Sequence, residues 1–243
     1  MAVEKSKIIL HSIDRAKVCP NASPYVLKLE TYLRMAEIPY TFDTSKPFGS
    51  KGKTPWITID GQDIADSQLI IEFLNKKLKV DLWKNATAKE KAISQAMRIM
   101  LEDHFIHAIA EWRWITALDQ IDQIMDMSGI AYWFIKKAVS RRVKTALTNQ
   151  GILLHTPEER LGLLTGDLKA VSTFLGESSY FLGEEPTEID CAIFGVMAQC
   201  VYCAPGSPYE KIVSEQFPNI KNYCERMKNK FYPDWDSLLK KSN

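Results

Sequence analysis

Four short groups of residues have types and spacing that could do chemistry. Cys19-Pro20 and Ser23-Pro24 each place a nucleophile-type side chain before a proline. A hydroxyl or thiol at the start of a helix meets the positive end of the helix dipole, where an anion is stabilised. Helix geometry ranks the two. If Pro20 began the helix, Pro24 would fall inside it at a cost of about 3 kcal/mol or more. Pro24 at the first helical position carries no such penalty, and Ser23 is a good N-cap. Lys53-Thr54-Pro55 precedes an alternating run, and a proline there withholds its own donor and can turn the Thr54 backbone toward an extended, peptide-like ligand. Asp66-Ser67 opens another helix, whose first amides suit a ligand carboxylate. His104, His107, Trp112 and Trp114 lie on one long helical stretch and are candidates to line an apolar pocket, with core packing as the plainer alternative. An ordinary hairpin followed by a capped helix is likewise the plain reading of residues 53–74.

These groups need elements to hold them. Residues 7–13 form a short apolar run suited to a buried strand, and Pro24 to about Ala36 reads as an amphipathic helix. Residues 40–44 follow as a second strand, because Ile38 before Pro39 avoids the helical region. Trp56-Ile57-Thr58-Ile59, Asp60-Gly61 and Gln62-Asp63-Ile64 read as strand, tight turn and strand. Leu69, Ile70, Phe73 and Leu74 then recur at helical spacing. The lysine-rich stretch 76–85 reads as a connection. Beyond it the pattern is helical throughout: 87 to about 119 behind the capping box Thr87–Glu90, 129–148, 156–175 stopped by Gly176, 191–202 behind Thr187–Asp190, and a last helix after Phe217-Pro218 that ends near Phe231.

Composition bounds the function. With 243 residues and 46% apolar content, the chain can bury one large core or two small ones. A net charge of +1 argues against bulk attraction to nucleic acid or to an anionic membrane. No run is long and apolar enough to span a bilayer, and the first residues lack a signal-peptide core. Five cysteines form an odd set without zinc-ligand spacing, and Cys200–Cys203 closes a predicted helix, so reduced buried thiols are expected and no metal site is read. Lys136, Lys137, Arg141, Arg142 and Lys144 make a basic face whose default reading is a solvated helix surface. These readings predict a cytoplasmic protein.

The order Pro55, strand, turn, strand, Asp66-Ser67, helix, after a strand–helix–strand unit, resembles the thioredoxin-like domain of glutathione transferases. Tyr180-Phe181-Leu182-Gly183 with Pro186, Thr187 and Asp190, and Phe217-Pro218-Asn219-Ile220 with Tyr223, Arg226 and Met227, resemble two motifs of that family's helical domain. The runs 23–31, 50–53, 64–67 and 98–104 are similar to the failed-axon-connections group, which stands with the metaxins. The resemblance implies an α/β thioredoxin-like domain (βαβ-ββα) over residues 1–79, a linker at 80–86 and an all-helical domain over 87–243. It implies glutathione as co-substrate, with Lys53, Thr54, Pro55, Asp66 and Ser67 binding it. Thr54 would pair with the cysteine backbone, and Asp66 with Ser67 would hold the γ-glutamyl end. Ser23 is then the expected catalytic residue, stabilising a thiolate that attacks a small hydrophobic electrophile, and Cys19 is the alternative as a redox residue. Tyr25, His104, His107 and Trp112 are the expected electrophile pocket. A homodimer is also implied. Trp56, where the family has a small aliphatic residue, departs from the pattern, and a non-catalytic binding or adaptor role is the competing reading.

Overall fold

The computed structural model describes residues 7–127 and 129–241. It opens with β1 (Ile8–His11), α1 (Pro24–Met35) and β2 (Tyr40–Asp43), then β3 (Trp56–Ile59), β4 (Gln62–Ala65) and α2 (Ser67–Leu78). The sheet runs β2-β1-β3-β4, with β1 parallel to β2 and antiparallel to β3. Asp60 and Gly61 both have positive φ (51° and 79°), the backbone a two-residue hairpin needs, and they close β3 onto β4. Alternation then sends Ile8, Leu10, Ile57 and Ile59 into one cluster with Leu29, Tyr32 and Leu33 of α1 and Ile70, Ile71 and Leu74 of α2. Lys76 and Lys77, read from sequence as connection, are the last turn of α2, which ends at Lys79 in the left-handed conformation.

The helical part begins with α3 (Ala88–Met100) behind the capping box of Thr87 and Glu90. The helix expected to run on to about 119 keeps its course to Thr116 but changes character. A π-turn at Leu101–Phe105, α4 (Ile106–Glu111) and a second π-turn at Trp112–Thr116 follow. Each wider turn rotates the side chains after it, a local departure that 3.6-residue periodicity does not register. A 3₁₀ turn (Leu118–Gln120), α5 (Ile121–Ile124), α6 (Ile130–Gln150), another 3₁₀ turn (Ile152–Leu154) and α7 (Pro157–Leu175) lead to α8 (Glu188–Tyr202). The chain continues with α9 (Pro208–Gln216), α10 (Pro218–Phe231) and α11 (Trp235–Leu238).

Helix α8 is the centre of this half. It is apolar all round, and thirteen of its fifteen residues are buried. It packs directly on α1, and a Cβ added at Gly195 would lie 2.6 Å from the Pro24 carbonyl oxygen, so only hydrogen fits there. Asp190, in its first turn, is fully buried and accepts from Thr187 N (2.7 Å), Phe181 N (2.9 Å) and the Tyr223 hydroxyl (3.1 Å). Burial raises its pKa while those three donors oppose the rise.

Candidate functional site

A cleft of about 270 Å³ opens where the first turns of α1 and α2 face the loop before β3 and the end of α3. Each side is set by local backbone chemistry. The Thr54–Pro55 peptide bond is cis. Thr54 and Pro55 line the cleft beside Lys51 and Lys53, and the Thr54 Oγ1 atom is buried with no hydrogen-bond partner among the described residues. An unpartnered buried hydroxyl is unfavourable by about 1–3 kcal/mol.

Across from Thr54, Asp66 caps α2. Its Oδ1 accepts from Gln68 N (3.0 Å) and Leu69 N (3.2 Å), which leaves the second oxygen for a ligand cation. Its φ of 94° lies in the region that side-chain-bearing residues rarely enter. Such a backbone is unfavourable by about 1–3 kcal/mol and tends to occur at ligand sites. Ser67 and Gln68 complete this wall next to the amides of the first helical turn.

The third side is a charged floor. Glu102 lies in the first π-turn and lines the cleft with Arg98 and Asp103. Its Oε1 accepts from Lys28 Nζ at 2.6 Å, its Oε2 from Arg98 Nη1 at 2.7 Å, and its carbonyl from the Tyr25 hydroxyl at 2.9 Å. Lys28 is 2% exposed. Burial pushes its pKa down and the Glu102 charge pulls it back up. Arg98 and Glu102, one helical turn apart in the sequence, thus pair at the cleft.

The cleft therefore brings together Tyr25, Lys53, Thr54, Pro55, Asp66 and Ser67 of the residues singled out from sequence. Others lie elsewhere. Ser23 does not line the cleft; its Oγ accepts from Val26 N at 3.4 Å and its amide donates to Asn21 Oδ1 at 2.9 Å. Cys19 is fully buried and its thiol donates to the Asn21 carbonyl. Burial pushes that thiol well above its ordinary pKa and neighbouring Cys203 adds to the rise, conditions that suppress the reactive thiolate. His104 Nδ1 pairs with Asp167 Oδ2 at 2.6 Å, and burial lowers the His107 pKa. Neither histidine lines the cleft, and Trp112 lines a separate one of about 360 Å³ with Glu111 and Tyr209. The four residues expected to form one electrophile pocket are thus dispersed. Trp56 also stays out of the cleft: its ring stacks on His11 with centroids 3.7 Å apart and its Nε1 donates to the Lys46 carbonyl.

Lys28, Lys51, Gln68 and Asp103 were not singled out from the sequence. For Lys28 the available signal was a lysine set within the run Tyr25-Val26-Leu27-Lys28-Leu29, apolar on both sides of it.

Comparison with known proteins agrees with this fold. Residues 24–122 match the family described as glutathione S-transferase N-terminal domain, and residues 164–227 match glutathione S-transferase, C-terminal domain. The chain is 33% identical to Failed axon connections of Drosophila melanogaster over 98% of its own length, and spans 61% of that protein. It is 25% identical to the isoprene-epoxide–glutathione S-transferase of Rhodococcus sp. strain AD45, over 87% of this chain and 94% of that one. Among solved structures, a glutathione transferase homologue from Drosophila mojavensis with bound glutathione superposes with a TM-score of 0.58 at 16% identity, over 96% of this chain and 93% of that one. A thioredoxin-like sheet, a helical second half and both family matches lead to one conclusion: the chain belongs to the glutathione S-transferase family.

Proposed function

We propose that this protein binds glutathione in the cleft between β3, α1, α2 and α3, with the binding half within residues 1–79 and the helical half within 87–243. The observation that carries the reading is the convergence of Thr54, Pro55, Asp66, Ser67 and Lys53 on one charged cleft. At neutral pH glutathione carries two carboxylates and one ammonium, and the cleft offers both signs of charge. The Thr54 backbone would pair with the cysteinyl unit. Asp66 would take the γ-glutamyl ammonium, Ser67 and the first amides of α2 its carboxylate, and Lys53 the other carboxylate. Calorimetric titration with reduced glutathione is the test. Saturable binding is expected, weakened at least about tenfold in Asp66→Ala, as befits loss of a charged hydrogen bond. Absence of binding at millimolar glutathione would remove the proposal.

A second reading is catalysis: transfer of the bound thiol to a small hydrophobic electrophile, of which the epoxide in the Rhodococcus relative's name is one class. The observation in its favour is that the first turn of α1 reaches the cleft through Tyr25, so the positive helix end is directed at a ligand there. The Tyr25 hydroxyl already donates to Glu102, and burial together with the Glu102 charge raises its pKa. Thiolate stabilisation would therefore fall to the helix end, since Ser23, the residue expected to supply it, caps α1 outside the cleft lining. The 33% identity to Failed axon connections supports the non-catalytic alternative, in which the cleft serves as a binding or adaptor site.

A further inference from the structure

Helix α6 is built unlike the rest of the molecule. Of its large apolar side chains, Ile130 is 83% exposed, Phe134 64% and Trp133 54%, and Tyr132 and Ile135 are exposed as well. Burial at the far end rests on Leu147, with Val139 and Val143 partly covered on the same face. The helix holds five basic residues and no acidic one, although the chain as a whole is nearly neutral. Lys136 pairs with Asp122 at 2.9 Å, and nearby Asp126 is engaged by Lys17 and Lys240. Among the described residues no carboxylate lies within ion-pair distance of Lys137, Arg141, Arg142 or Lys144. Along the outward face, exposed apolar side chains occupy the first two turns and exposed cations the turns after them.

We propose that this face of α6 docks the protein on an anionic lipid surface, lying on it without crossing. Aromatic and aliphatic side chains at a helix end suit the boundary between headgroups and acyl chains, and arginine and lysine suit the negative surface above it. No described helix is long and apolar enough to cross a membrane. A second copy of the chain is a poorer occupant, because a two-fold contact centred on the apolar end would leave the exposed cations of both copies unpaired, whereas an anionic lipid surface answers the apolar end and the cations together. The aliphatic Ile130 and Ile135 beside the aromatics favour hydrocarbon over stacked bases.

Co-sedimentation of the full chain with phosphatidylcholine vesicles, with and without about one third phosphatidylserine, tests this. Wild type is expected to bind the anionic vesicles, more weakly as salt is added. Arg141→Gln/Arg142→Gln is expected to bind roughly 25-fold more weakly, about fivefold per basic side chain. Trp133→Ser/Phe134→Ser is expected to lose binding. Both variants are expected to keep the wild-type thermal melt and glutathione titration, since neither touches the core or the cleft. Equal binding to neutral vesicles, or binding that neither variant changes, overturns the proposal. So does a wild-type dimer that Trp133→Ser/Phe134→Ser dissociates, or retention on a single-stranded oligonucleotide without vesicle binding.

Discussion

Ser23 separates two kinds of work that one hydroxyl can do. Its Oγ accepts from Val26 N and so ties down the first turn of α1. Ser23→Ala is expected to lower stability by about 1 kcal/mol in urea denaturation, the usual effect of deleting an N-cap, and to leave glutathione affinity unchanged. If conjugation of an epoxide instead collapses while stability holds, the hydroxyl acts on the sulfur. The sequence reveals Thr54, Pro55, Asp66 and Ser67 because proline geometry and helix capping are local chemistry, legible within a few residues. Lys28 and Glu102 are not legible in this way. Their importance comes from burial against each other across 74 positions, which no short window contains.

At the level of elements, α1 and α8 approach closely at Gly195, where hydrogen faces the Pro24 carbonyl. Gly195→Ala is expected to destabilise the protein by on the order of 1–3 kcal/mol, measured by thermal melting, because backbone cannot yield as a flexible side chain can. A smaller effect would mean that the two helices shift apart without penalty. Most elements are legible in the sequence: the hairpin from Asp60-Gly61, α3 and α7 from capping boxes, and α8 from its continuous apolar run. Helix α9 was missed although Ser207-Pro208 with Glu210 signals its start, since Ser207 Oγ accepts from Glu210 N at 3.0 Å. The short α11 has no such signal; it is held by Trp235, which packs among Phe194, Tyr202 and Tyr232. Neither π-turn is visible in a 3.6-residue pattern, yet one of them contains Glu102 and shapes the cleft floor.

Across the whole molecule, the last residues close back onto the first helix. Arg34 of α1 bonds both oxygens of Asp234, at 2.6 and 3.0 Å, and lies over the Tyr232 ring. The hydrogen bond from Arg34 holds the Asp234 carboxyl below its ordinary value. A carboxyl whose folded pKa is depressed contributes stability that is fully present above its unfolded pKa, near 3.8, and is lost as pH falls through the folded value. Asp234→Asn is therefore expected to be less stable than wild type at pH 7 by about 1 kcal/mol, a small figure because the Asp234 side chain is 42% exposed. Denaturation in urea at low pH should find the difference gone. Helix α1 belongs to both cores, Leu27 to the helical cluster and Leu29, Tyr32 and Leu33 to the sheet cluster. That shared membership has a consequence for synthesis on the ribosome. The sheet and α2 are complete once residue 78 has emerged, but α8, which covers the back of α1, begins only at 188. At 5–20 residues per second the nascent chain holds that apolar face bare for roughly 5–20 s. For that interval, the segment that will shape the cleft is the one most in need of a chaperone.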